Sequence, residues 1–184
     1  MKMYLRRGVT LIEILAVIAI IGIILGFSYW GGRTWITRNR LKNAAYRMRA
    51  TIMDLRIRAV SAQMKTGIRF DPVTDSYTSF KITEDTLNPG TYDTTSQVSE
   101  TLGAKIRFGA TGIQSISGGS PPADGISFNN PSDDNVIIFN QFGACETPGE
   151  IYITDGKDFY ALLINSTGKV RVFKWTGSGW YEEE

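Results

Sequence analysis

The sequence predicts an α+β protein: a long N-terminal α-helix, transmembrane in its first half and amphipathic in its second, packed on an antiparallel β-sheet or sandwich head. Three observations carry this expectation. The run from Val9 to Trp30 holds one charge, Glu13. Leu41, Ala45, Met48, Ile52, Leu55, Ala59 and Ala62 recur at alternating spacings of four and three, a single apolar stripe along a helix. After Gly67 the pattern switches to short alternating runs separated by turn residues.

At ~1.5 Å rise per residue the first run is about 33 Å long as a helix, enough for a bilayer core of ~30 Å. Tyr29 and Trp30 then fall where an aromatic belt forms at the membrane–water boundary. A secretory signal peptide is excluded, because its apolar core is ~7–15 residues and ends at small residues. Here the run is longer and is followed by Gly-Gly-Arg-Thr-Trp. A twin-arginine signal at Arg6-Arg7 fails on the same length and missing cleavage site. A plain single-pass anchor explains everything except Glu13, since a carboxylate near a helix centre costs roughly 2.5–3.5 kcal/mol on insertion scales.

A short basic leader, Gly8, an apolar residue, Thr-Leu-Ile, Glu13 and then unbroken apolar sequence resembles the N-terminus of type IV pilins and pseudopilins. The resemblance covers Arg6 to about Leu25. It implies that a prepilin peptidase cuts between Gly8 and Val9 on the cytoplasmic face and methylates the new amine on Val9. It also implies that Glu13 is the assembly carboxylate. Phe is commonest after the cleaved Gly in that family, and Val9 stands in its place. The charge balance fits: a Glu13 beside a neighbour's Val9 amine neutralises two intramembrane charges that would each be costly alone. The implied partners are other pilins or pseudopilins, the peptidase and an inner-membrane assembly platform.

On this reading residues 1–8 are a leader, 9–30 the transmembrane helix and filament core, 31–66 the amphipathic stem and 67–184 the β head. From Arg33 to Lys65 the charges are nine Lys and Arg against Asp54 alone, whereas beyond Lys65 acids outnumber bases about two to one. Lys2, Arg6 and Arg7 place the N-terminus in the cytoplasm, but Arg33, Arg38, Arg40 and Lys42 on the other flank argue the reverse. The resemblance decides it, because the peptidase site faces the cytoplasm and the head therefore lies outside.

The helix is expected from about Val9 to Met64, with Lys65-Thr66-Gly67 as its stop. Thr34 to about Asn43 has few apolar residues and reads as a bridge between membrane and head. Family stems often carry a Pro in mid-anchor. This chain has Gly22, Gly26 and Gly31-Gly32 instead, where each Gly costs ~1 kcal/mol relative to Ala and local unwinding is cheap. In the head, Gly67–Phe70 and Tyr77–Ile82 flank Asp-Pro-Val-Thr-Asp-Ser as a hairpin. Lys105–Phe108 and Ile126–Phe128 are brief strands around a Gly/Ser/Pro-rich loop. Val136–Phe139, Glu150–Thr154, Phe159–Asn165 and Lys169–Trp175 are the clearest set, joined by tight turns at 155–157 and 166–168.

Arg69-Phe70, Ile106-Arg107-Phe108 with Gly112, and Gly168-Lys169-Val170 resemble, more loosely, the H-type minor pseudopilins of type II secretion and FimT-like minor pilins. The last of these motifs has Lys where Arg is commoner.

With no His and one Cys, there is no Ser-His-Asp set, Cys-His pair or His/Cys zinc cluster. Cys145 has no intrachain partner and reads as a small buried side chain, or else as an intermolecular bridge. The acid pairs Glu84-Asp85, Asp133-Asp134 and Asp155/Asp158 fall in turn-rich loops and read as solvated turn residues rather than a hydrolase dyad. No spaced calcium loop occurs, and Gly118-Gly119-Ser120-Pro121-Pro122 lacks the Lys-Ser/Thr of a phosphate cradle. No catalytic residue, cofactor or metal is expected.

Some FimT-like minor pilins bind incoming DNA in natural transformation. The matching candidates here are Lys169, Arg171, Lys174 and Trp175, with Trp180 and Tyr181 nearby. The terminal Glu182-Glu183-Glu184 sets three negative charges beside them and argues against nucleic acid. A third class, a membrane-anchored periplasmic β domain with no filament role, requires an uncut leader.

Overall fold

The computed structural model describes residues 10–82, 93–128, 130 and 135–183, with side chains described throughout except at 27–38 and 93–97. The chain divides into two compact units, residues 1–40 and 41–184. Helix α1, Leu11–Ala62, contributes to both.

In the first unit every described side chain from Thr10 to Gly26 is exposed. Leu11, Ile12, Ile18 and Leu25 are each 60% exposed or more. A helix that is apolar all round belongs in a protein core or a membrane. Among the described residues no helix is long and apolar enough to cross a membrane.

In the second unit the helical stripe is buried as expected: Leu41, Ala45, Met48, Ile52, Leu55 and Ala59 are all 6% exposed or less. Ala44 joins them, and Ala62 is exposed. The stripe ends a turn early because the helix closes there. Gln63 takes a left-handed conformation (φ 52°), Met64 N–H donates to Ala59 O at 3.2 Å and Gln63 N–H to Val60 O at 3.3 Å. That pair of bonds is a Schellman cap. The stop is therefore Gln63, not Lys65-Thr66-Gly67.

Thr66 already opens β1 (Thr66–Asp71), and its hydroxyl donates to Leu55 O at 3.1 Å. Gly67 serves packing instead. A Cβ there would lie 2.6 Å from two carbons of the buried Phe80 ring.

The other strands are β2 (Ser76–Lys81), β3 (Asp93–Thr101), β4 (Arg107–Phe108), β5 (Ile126–Phe128), β6 (Val136–Phe139), β7 (Gly149–Thr154), β8 (Phe159–Ile164), β9 (Val170–Trp175) and β10 (Trp180–Glu183). They form two sheets, β3-β2-β1-β6 and β10-β9-β8-β7-β4, with β5 also on β7. Every pairing is antiparallel. The β1–β2 hairpin turns on Asp71, whose carboxylate accepts from Thr74 Oγ1 at 2.7 Å and Val73 N–H at 2.9 Å.

The strands β3 and β10 are additions to the expected set. The first has one aliphatic residue, Val98, in nine, so it shows no alternation. The second is half glutamate.

One core joins the stripe of α1 to both sheets. Ile68, Phe70, Tyr77, Ile137 and Phe139 come from the first sheet, and Ile151, Ile153, Leu162, Ile164, Val170 and Val172 from the second. The outer face of the second sheet buries a smaller cluster, Ala110, Tyr152 and Ala161, under Ile113, Ile116 and Trp180.

Candidate functional site

Gly8 and Val9 lie outside the described residues. Glu13 is in the first turn of α1. Thr10 O accepts from Glu13 N–H at 3.1 Å and Ile14 N–H at 3.3 Å, while Thr10 N–H donates back to Glu13 Oε2 in a long bond of 3.4 Å. The return bond is the carboxylate half of a capping box, with the threonine at the helix start and the glutamate three residues on. A carboxylate here also meets the positive end of the helix dipole. The Thr10-Leu-Ile-Glu13 spacing carries this signal, which the reading of Glu13 as an intramembrane charge passes over. The carboxylate is thereby held on backbone one residue from the expected cut, among the exposed side chains of Leu11, Ile12 and Ile14.

The four candidate residues of the C-terminal strand do not form one patch. Along β9 the pleat sends successive side chains to opposite faces. Val170 and Val172 join the main core, and Lys174 shares their face, opposite Tyr160 and Tyr181. Arg171 and Trp175 lie on the other face. There Arg171 Nη1 pairs with Glu182 at 3.5 Å, and Trp175 packs on Trp180 with ring centroids 5.3 Å apart. Lys169 sits in the 165–169 turn, its N–H held by Asn165 Oδ1 at 2.8 Å. The acidic terminus thus runs antiparallel along this strand, and one of its carboxylates neutralises Arg171.

Glu183, on the core side of β10, makes more contacts than Glu182. Its side chain is 15% exposed and accepts Lys42 Nζ at 2.7 Å, Tyr160 Oη at 3.2 Å and Tyr46 Oη at 3.5 Å. The hydrogen bond to Glu183 raises the Lys42 pKa against a small opposing effect of burial. Burial, then the Glu183 charge, pushes Tyr160 well above the ordinary phenol range.

A second acid, Glu150, is 7% exposed at the start of β7. It accepts Ser115 Oγ at 2.9 Å and Ser117 N–H at 3.0 Å, together with the hydroxyls of Ser117 and Tyr152. Tyr152 Oη in turn accepts Ile116 N–H at 3.0 Å, and Trp180 Nε1 donates to Gln114 O at 2.7 Å. These bonds pin the 113–118 loop over the outer cluster. Nothing in linear spacing pairs Glu150 with serines more than thirty residues away.

Asp155 makes a turn: its Oδ1 accepts Lys157 N–H at 3.0 Å and Asp158 N–H at 2.9 Å. Glu84-Asp85 and Asp133-Asp134 lie outside the described residues. Among the described residues no three His, Cys, Asp or Glu gather as metal ligands. Cys145 is buried and free, and burial pushes its thiol up to about 11, away from thiolate chemistry.

Residues 3–29 match the family described as the prokaryotic N-terminal methylation motif, so the chain carries that motif. No curated protein matches the chain. Two solved structures, both of the minor pseudopilin EpsH from the type II secretion system of Vibrio cholerae, are similar in fold. One is 16% identical, covers 80% of this chain and 99% of its own, and has a TM-score of 0.50. The other is 15% identical, covers 73% and 97%, and has a TM-score of 0.48. At these identities the likeness is one of fold.

Proposed function

We propose that this protein is a minor pseudopilin or minor pilin, a structural subunit of a type II secretion pseudopilus or type IV pilus with no enzymatic activity of its own. The observation that carries the reading is the methylation motif at residues 3–29, which opens a helix whose side chains from Leu11 to Leu25 are exposed. An N-terminal helix joined to an antiparallel β head, a fold shared with EpsH, supports it.

In this reading a prepilin peptidase removes residues 1–8 and methylates Val9. Residues 9–30 anchor the chain in the inner membrane with its N-terminus cytoplasmic. Residues 31–66 form the stem and 67–184 the head outside the cytoplasm. The assembly platform then moves the subunit into a filament of other pilins, where the apolar helices pack as its core.

Glu13 sets register. The carboxylate that caps Thr10 N–H in the single chain meets the Val9 amine of the next subunit, and each buried charge then has a partner. Two variants, Glu13→Ala and Glu13→Leu, expressed with the filament machinery, test this. Both should remain membrane-inserted and be missing from sheared filaments. Normal incorporation of either would sink the pairing mechanism.

A further inference from the structure

The sequence patch around Lys174 and Trp175 is dissolved by the pleat, but the fold builds a different cluster from two of its members. A cleft of about 700 Å³ opens at one end of the second sheet, and Lys157, Lys174, Trp175, Tyr181 and Phe159 line it with Asp158 and Glu183. From this cleft the geometry points to a docking site for a short acidic segment of a protein partner, one that sets a carboxylate beside an aromatic or aliphatic side chain. The cleft uses no residue of the methylation motif, so the proposal stands or falls apart from the processing and assembly reading.

Charge is the first argument. Neither Lys157 nor Lys174 makes an ion pair among the described residues. Of the two lining acids, Glu183 is already committed to Lys42 at 2.7 Å and to the hydroxyls of Tyr46 and Tyr160. Among the described residues the cleft is thus lined by two ammonium groups outside any ion pair and by one carboxylate outside any ion pair, Asp158. That balance accepts one added anionic group. It does not suit a polyanion, whose binding needs many cations along a track.

Apolar surface is the second. Trp175 is half-buried and held against Trp180, with ring centroids 5.3 Å apart, while Tyr181 is 66% exposed. Aromatic faces beside cations take up a side chain with an apolar body and a charged end.

Rigidity is the third. The turn bearing Lys157 is fixed by Asp155 Oδ1 and by Thr154 Oγ1, which donates to Asp158 O at 2.8 Å and accepts Gly156 N–H at 2.9 Å. The turn after Trp175 is closed by Thr176 N–H and Thr176 Oγ1, both donating to Gly179 O, at 2.9 and 2.8 Å. Both walls are set before a ligand arrives, which lowers the entropy lost on binding.

The test uses the full chain in detergent micelles and the anisotropy of a fluorescein-labelled peptide, acetyl-Gly-Phe-Glu-Phe-Glu-Gly-amide. Saturable binding is expected. It should weaken about tenfold when Gln replaces Glu in the peptide, and about tenfold in the protein variant Lys157→Gln/Lys174→Gln, since two exposed ion pairs are lost. Tyr181→Ala, an exposed position that folding tolerates, should weaken it as well, whereas Lys169→Gln, outside the cleft, should leave it unchanged. No saturable binding, equal affinity for the Gln peptide, or indifference to the paired lysine substitutions would overturn the proposal. A labelled deoxythymidine oligonucleotide bound as tightly, with the same lysine dependence, would overturn it in favour of nucleic acid.

Discussion

Lys42 Nζ lies 2.7 Å from the Glu183 carboxylate, tying α1 to the last strand of the second sheet. The two ends of this bond are unequal. Lys42 is 46% exposed at its side chain, and Glu183 only 15%, with two tyrosine hydroxyls also aimed at it.

Removing the exposed partner therefore matters less than removing the buried one. Lys42→Ala is expected to cost no more than about 1 kcal/mol, the scale of a partly exposed ion pair. Glu183→Ala leaves the Tyr160 hydroxyl without its acceptor and should cost about 1–3 kcal/mol. Urea unfolding of the solubilised chain, followed by tryptophan emission, checks the order. A larger loss for Lys42→Ala would mean that the charge pair, not the buried acceptor, is what matters.

Gly67 is required for the space it leaves and not for its flexibility. A Cβ at that position would sit 2.6 Å from two ring carbons of Phe80, itself 6% exposed, and 3.3 Å from Ile137 O. Gly67→Ala should therefore destabilise by about 1–3 kcal/mol through overpacking. The same change in a Phe80→Leu background should cost distinctly less, which the double-mutant cycle measures.

Stability should fall in alkali. Tyr77 and Tyr152 are each pushed up to about 12, first by burial and then by hydrogen bonds to Glu100 and Glu150. In the unfolded chain both phenols ionise near ~10. Between those two values the unfolded state holds fewer protons than the native one, so stability declines as pH rises from about 10 towards about 12. Below that window the contribution is fully present. Denaturation midpoints across the range, read beside phenolate absorbance, should show delayed ionisation that appears together with unfolding. Midpoints unchanged over this window would contradict the burial of these hydroxyls.

Local regularity made much of this fold legible in the sequence. The stripe from Leu41 to Ala59 and the alternation in β7, β8 and β9 are short-range patterns, and they survive as helix and strands. The strand β3 lacks that pattern because eight of its nine residues are not aliphatic, and the helix stop carries no glycine signal because Gln63 takes the left-handed conformation.

The site shows the same division. Glu13 stands out as a charge in an apolar run, and its capping of Thr10 is a spacing of three. Glu150 with Ser117, Glu183 with Lys42, and the cleft that joins Lys157 to Lys174 are pairings across loops and sheets, set by topology. A run such as Lys169, Arg171 and Lys174 looks like one patch in a list of residues, yet a period of two separates its members onto opposite faces.

The central claim is that the methylation motif is used. The intact mass and N-terminal residue of the membrane-extracted protein, produced with and without a prepilin peptidase, test it most directly. The account predicts a chain beginning at methylated Val9 when the peptidase is present and at the uncut leader when it is absent. A chain that keeps its leader in both preparations would contradict the account and leave an anchored β domain whose Glu13 only caps its own helix.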